Sequence, residues 1–213
     1  TDPDLHFALG RHLAASGNLD GARMSFVATL MRAPRHALAL IAQGQVLCGL
    51  SRFEEAREAF KQAIAVEPSV AAWLGLGRAS RSMSRHREAL DAFQAALTLD
   101  PSVALHHLEV ARSERALTRF DDAAATCERG LEREPKNRDL LVELGKSLDA
   151  AGRHEKAAEA FARARGAAPD DLEVLRSLAS VERTLKHPDV ALDAIDTALR
   201  LVPNDAGLHA TRG

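Results

Sequence analysis

The residues best suited to chemistry are four arginines in two pairs, Arg78 with Arg81 and Arg112 with Arg115. On a helix this three-residue spacing puts both guanidinium groups of a pair on one face. Planar guanidinium groups match carboxylate and phosphate oxygens, often with two bonds at a time. What they offer is capture of an anion, not the making or breaking of bonds. Nothing else supplies a catalytic set. The nine histidines are scattered, and adjacent His106 and His107 diverge by about 100° on a helix, which prevents chelation. Cys48 and Cys127 stand far apart and read as small buried hydrophobes, not a disulfide framework. Gly75 and Gly77 follow no strand, so their spacing reads as close packing and not as a phosphate loop. No Ser/His/Asp or Cys/His arrangement and no paired carboxylates in an apolar setting occur, so no catalytic residue, cofactor or metal is implied.

Charge and hydropathy narrow the partners. A formal net charge of -2 gives no global basic field, and the arginines lack interleaved aromatics, which argues against nucleic acid. No apolar run is long enough to span a bilayer and no signal peptide is visible, so no membrane partner is expected. The first residue is Thr1, not Met, which reads as a processed or excised piece whose targeting information is missing. The expected compartment is cytoplasmic, with periplasmic left open. An excess of Arg over Lys, with abundant Ala, points to a bacterial source.

The elements that position the arginines are marked by a period. Pro34, Pro68, Pro101, Pro135, Pro169 and Pro203 are separated by 34, 33, 34, 34 and 34 residues. Twelve residues before each stands an alanine: Ala22, Ala56, Ala89, Ala123, Ala157 and Ala191. Four residues after that comes Phe26, Phe60, Phe93, Phe161 or Ile195, and Cys127 in the fourth unit. Apolar residues fall at helical spacing on both sides of a break such as Ser51-Arg52, which predicts two amphipathic helices per unit. The alanine lets the paired helices approach closely, and the bulky residue one turn later fills the space beyond. Caps for the first helix of each following unit are expected at Ser69, Ser102, Asn137, Asp170 and Asn204. Acids open the second helices at Glu54-Glu55, Glu88, Asp121-Asp122, Glu155 and Asp189, and Pro188 suits a first turn.

This pattern resembles the tetratricopeptide repeat, whose W-x2-L-G-x2-Y, A-x3-F and terminal Pro signature has the same period. The resemblance covers the whole chain and implies an all-α, right-handed superhelical solenoid of antiparallel helix pairs. The expected organisation is one solenoid over residues 1–213, with repeats at 3–36, 37–69, 70–103, 104–137, 138–171 and 172–205. Residues 206–213 start a truncated seventh, so continuation past Gly213 is expected. The turn between Pro68 and Trp73 is one residue short, which predicts a local change of stacking there. Repeat four diverges most, with His107 and Glu114 where the family prefers Trp and Tyr. Repeat six places Glu182 at the tyrosine position. Such carboxylates either reach solvent or a neighbouring arginine or, at Glu114, orient an arginine toward a ligand.

In this family the first helices line an inner groove that binds an extended peptide or a partner helix. Carried over, that geometry makes Arg11, Gln45, Arg78, Arg112, Lys146 and Ser180 one inner row. One turn later lie Ala14, Cys48, Arg81, Arg115, Asp149 and Arg183. One turn earlier lie Phe7, Ile41, Leu74, Leu108, Val142 and Arg176. The expected groove thus pairs an apolar strip with a basic one. Arg78, Arg81, Arg112 and Arg115 form a four-guanidinium patch that either holds acidic groups of a partner or is neutralised internally by Glu109, Glu114 and Glu143. A carboxylate clamp or an asparagine ladder is not expected, because Asn18, Asn137 and Asn204 all sit at turns. The function implied is a non-catalytic scaffold that binds a protein or peptide, acidic ones included. Two alternatives stay open. One is the recruiting arm of a larger glycosyltransferase or sulfotransferase, and the other is self-assembly into homo-oligomers through uncapped solenoid ends.

Overall fold

In the computed structural model, which describes residues 2–212, each stretch between the turn signals is an α-helix. In order these are α1 (Pro3–Ala15), α2 (Leu19–Arg32), α3 (Ala37–Gly49), α4 (Phe53–Val66), α5 (Val70–Ser82), α6 (His86–Leu99) and α7 (Ala104–Ala116). They continue with α8 (Phe120–Leu131), α9 (Arg138–Ala150), α10 (His154–Ala167), α11 (Leu172–Thr184), α12 (Pro188–Leu201) and the short α13 (Ala206–Arg212). The architecture is all-α, with no strand among the described residues. Odd-numbered helices are the first, or A, members of each pair, and even-numbered helices the B members. Thr1 and Gly213, the ends of the expected domain, lie outside the described residues.

The two helices of a pair are joined by one turn used six times. The A helix ends with a left-handed residue: Gly17, Ser51, Ser84, Thr118, Gly152 or Lys186, with φ between 57° and 81°. The next N–H reaches back to the carbonyl five residues earlier, as in Arg52 to Leu47 and Arg119 to Glu114. The left-handed residue's own N–H bonds the carbonyl three residues back, which closes a Schellman motif and satisfies the A helix's last carbonyls. Arginine recurs just after it. Arg52 and Arg119 bond the acids three residues on, Glu55 and Asp122, in the first turn of the B helix.

Prolines end the B helices because the residue before a proline is driven out of the helical region. Ala33, Glu67, Asp100, Ala168 and Val202 are accordingly extended or off-helix. The fourth B helix, α8, stops earlier, at Leu131, where the Gly130 carbonyl accepts from both Arg133 and Glu134. Ser69 and Asn137 cap α5 and α9 as expected. Three other expected caps are corrected: Asp171, not Asp170, caps α11; Asp205, not Asn204, bonds the Leu208 N–H; and Val103, without a side-chain bond, precedes α7 in place of Ser102. The cap lies two residues past each proline, except after Pro68, where the shortened turn moves it one residue closer. At the second repeat that rule selects His36, whose Nδ1 accepts from the Ala39 N–H.

Packing within a pair is a ring-over-glycine contact. A Cβ placed on Gly10, Gly44, Gly77 or Gly145 would lie 2.5–2.7 Å from Phe26, Phe60, Phe93 or Phe161 respectively. Where the bulky residue shrinks to Cys127 or Ile195, the facing position becomes Ala111 or Ala179. Each buried ring contributes about 1.5–3 kcal/mol, and the missing methyl beneath it is what lets the helices close up.

The helices group into two compact units, residues 1–101 and 102–213. In the first, α1 to α6, the core runs from Phe26 and Val46 to Leu40, Leu47, Phe60 and Leu76. In the second, α7 to α13, one core holds Leu108, Cys127, Leu140, Leu144, Phe161, Leu175, Leu178 and Ile195.

Candidate functional site

In the second unit the A helices are tied to one another by ions. Arg115 Nε donates to Glu143 Oε1 at 2.5 Å, and Arg112 Nε lies 3.7 Å from the other oxygen of the same carboxylate. The Glu143 side chain is 4% exposed, whereas those of Arg112 and Arg115 are 42% and 36% exposed. A carboxylate buried to that degree needs partners, and α7 supplies two cations for the single anion on α9. The pattern repeats one pair on. Lys146 Nζ on α9 meets Glu173 Oε1 on α11 at 2.5 Å, and Arg138 bonds both Glu173 and Asp171. Lys146, then Arg138, hold the Glu173 carboxyl below the usual range. Arg138, helped by the N–H groups of Val174 and Glu173, does the same for Asp171. Arg176 on α11 in turn bonds Asp205, just ahead of α13.

Beyond this ladder, α11, α12 and α13 enclose a groove of about 360 Å³. Ala179, Ile195 and Leu208 form its floor and Arg176, Ser180 and Arg183 its rim. Arg183 is exposed and has no ion-pair partner among the described residues.

The first unit carries a similar groove of about 340 Å³ between α1 and α3. Phe26, Ala42 and Val46 line it, with Arg11 and Gln45 at its edge. Further along the unit, the Arg81 guanidinium lies over the Phe93 ring at 5.4 Å, within cation–π range. Arg78 is exposed on α5. It faces the Cys48 thiol of α3 closely enough to offset part of the rise that burial imposes on that thiol.

The structure distributes the expected site residues as follows. Arg11 and Gln45 come together at one groove. Arg78 and Arg81 share a face of α5 in the first unit, and Arg112 and Arg115 share a face of α7 in the second, with Lys146 on α9. The apolar strip is not presented as expected. Ile41, Leu108 and Val142 are buried in the cores of their units. Phe7 packs against the rings of Phe26 and His36, and Leu74 is half-buried. These residues sit one turn from the cations, where the neighbouring helix already covers them.

Glu114 does not aim at the arginine face. Its Oε2 accepts from Thr126 Oγ1 on α8 at 2.8 Å, Arg119 stands 4.0 Å from its other oxygen, and burial pushes its carboxyl above the usual range. Glu182 contacts His187 Nδ1 at 2.9 Å across the same turn. The groove beside α13 was not anticipated from sequence. Its signal lay in Arg176, Ser180 and Arg183, which recur at inner-row spacing on one helix.

Among the described residues no group of three or more His, Cys, Asp or Glu side chains could hold a metal ion. None of the helices is long and apolar enough to cross a membrane.

A family model described as tetratricopeptide repeat matches residues 41–104, 108–171 and 142–206. No curated protein matches the chain in sequence. Solved structures do match in fold. A structure of PilW, described as a widely conserved type IV pilus biogenesis factor, aligns with a TM-score of 0.80 at 19% identity over 99% of this chain and 98% of its own. The pilF protein of Pseudomonas aeruginosa gives 0.76 at 17% identity over 98% and 95%. YrrB, described as a TPR protein with an unusual peptide-binding site, gives 0.72 at 19% identity over 88% and 98%.

Proposed function

Because the chain belongs to the tetratricopeptide repeat family, we propose that it is a non-catalytic scaffold whose A-helix faces bind an acidic segment of a partner protein. The observation that carries this reading is the surplus of exposed guanidinium groups on those faces. Arg112 and Arg115 share one buried carboxylate, and Arg183 rims an apolar-floored groove without an ion partner among the described residues. An acidic residue next to an apolar one satisfies both features, since the carboxylate meets an arginine fork and the apolar side chain meets Ala179 and Leu208. The peptide-binding site named for YrrB supports a peptide as the class of ligand.

The test is titration of fluorescent acidic peptides by anisotropy at two salt concentrations. Replacing Arg78, Arg81, Arg112 and Arg115 by Ala, with Glu143→Gln so that no buried charge is left unpaired, weakens binding at least tenfold and flattens its salt dependence. Unchanged affinity in that variant, with far-UV circular dichroism intact, refutes the reading.

A further inference from the structure

The two units build one frame twice. α1 (Pro3–Ala15) and α3 (Ala37–Gly49) match α7 (Ala104–Ala116) and α9 (Arg138–Ala150) residue for residue over their whole lengths. At that register Arg11 stands for Arg112, Ala14 for Arg115, Ala42 for Glu143 and Gln45 for Lys146. Between α7 and α9 the chain fills its own groove, because the buried Glu143 carboxylate reaches Arg115 at 2.5 Å and Arg112 at 3.7 Å. Between α1 and α3 both members of the tighter pair are cut back to the methyl groups of Ala14 and Ala42, and the groove of about 340 Å³ lies there. The looser guanidinium is kept. Arg11 is exposed and has no ion-pair partner among the described residues.

The lining of the groove suits the stem of an acid as well as its head. Phe26 and Val46 line it where the second unit has the smaller or more polar Cys127 and Ser147. Methylene groups laid over that floor gain by leaving water. At the edge, the Gln45 amide has N–H groups to donate, whereas its counterpart Lys146 is taken up by Glu173. A groove with no acid need not stay open. Between α3 and α5 the Ala42 register is Gly75, and the Phe60 ring lies so close that a Cβ there would be 2.3 Å from it.

We propose that the α1–α3 groove is a carboxylate subsite that takes one glutamate-type side chain. Its carboxylate meets Arg11 and Gln45, and its methylenes lie over Phe26 and Val46, so that the guest supplies what Glu143 supplies in the second unit. A single guanidinium balances a single negative charge, which favours a lone carboxylate over a phosphate or a run of acids. For the source of that side chain the inference rests on the acidic partner segment proposed above. For the chemistry of the groove it does not.

The probe is sodium hexanoate, with hexanamide as its neutral match, titrated into the isotopically labelled protein. Hexanoate shifts the methyl resonances of Ala14, Ala42 and Val46 and the Nε–H of Arg11, with a dissociation constant in the millimolar range. Hexanamide binds weaker by about threefold or more. Arg11→Ala, an exposed change, removes that preference and Arg11→Lys keeps part of it. The variant lacking Arg78, Arg81, Arg112 and Arg115 binds hexanoate in this groove unchanged. Ala42→Glu supplies the acid from within: it abolishes hexanoate binding, and Arg11→Ala then lowers the thermal midpoint further than it does in the native chain.

Equal affinity for hexanoate and hexanamide, methyls unmoved at tens of millimolar hexanoate, or a preference that survives Arg11→Ala overturns the proposal. So does a groove already filled in the protein alone. Shifts there that depend on protein concentration identify a second copy as the occupant, and an Arg11 Nε–H protected from exchange before any probe is added identifies an acid of the same chain. The acidic-segment test changes other arginines, so either reading can fail while the other stands.

Discussion

Alanine at Gly75 is the sharpest test of how the helix pairs are held. A Cβ there would stand 2.3 Å from Phe60 Cε1 and 2.5 Å from Cζ, against an ordinary carbon–carbon contact of about 3.5–4.0 Å. The ring has no retreat, because its tip already lies where a Cβ on Gly44 would be, 2.7 Å from Cζ. Overpacking of this kind costs about 1–3 kcal/mol, and the absence of free space puts Gly75→Ala at the upper end. Replacing a helical glycine returns about 1 kcal/mol, so the net loss is about 2 kcal/mol. Gly166→Ala is the control. A Cβ there meets nothing within 4 Å, and the substitution should stabilise by about 0.5–1 kcal/mol. Stacked helix pairs need not unfold in two states. Urea titration by circular dichroism should therefore be paired with hydrogen exchange, which assigns the loss to α3–α6. In a Phe60→Leu background the Gly75→Ala penalty should shrink by at least about 1 kcal/mol, the coupling expected of touching residues. A neutral or stabilising Gly75→Ala, or a penalty that survives Phe60→Leu, refutes the ring-over-glycine account. It would also remove the reason given for how α5 is seated, and with α5 the placement of Arg78 and Arg81.

Three further outcomes are expected. Thr118 is β-branched yet left-handed at φ 59°, so Thr118→Gly should raise stability by about 1 kcal/mol, read as a higher thermal midpoint; a lower midpoint contradicts the strain. Burial raises the Glu114 carboxyl in the folded state, a contribution fully present below the unfolded value of about 4.3 and lost as pH rises through the folded one. The stability of the native chain relative to Glu114→Gln should therefore grow from neutrality toward pH 4, and a difference that shrinks on acidification refutes it. Cys127 is fully buried, and burial together with Glu143 and Glu114 pushes its thiol far up, whereas Cys48 is half-buried. A thiol-disulfide reagent should therefore modify Cys48 in the native protein and Cys127 only in denaturant, as mass spectrometry of the peptides would show.

The helix pairs were legible because their markers are backbone requirements. A proline bars the helical conformation to the residue before it, and Ala22 or Ala56 reports a close approach through its size alone. The left-handed residue that closes each turn was not read from the sequence: Gly17 and Gly152 could have marked it, whereas Ser51, Ser84, Thr118 and Lys186 do not announce a positive φ. The caps slipped by one residue because Asp170 and Asp171 are chemically alike, and only the turn length chooses between them. For the candidate site, the arginine rows could be read from spacing. The burial of Ile41, Leu108 and Val142 could not, because an apolar residue one turn from a cation looks the same whether it faces solvent or a neighbouring helix.

The shared carboxylate of Glu143 sets a threshold for whatever visits the α7 face. A guest that draws both Arg112 and Arg115 away strands a negative charge in a nearly dry interior, so a lone weak acid gains too little to displace both. Arg112, already farther off, yields first. If the proposed acidic segment docks on this face, guests bearing several negative groups close together would be favoured, engaging the looser arm of the pair before the tighter one.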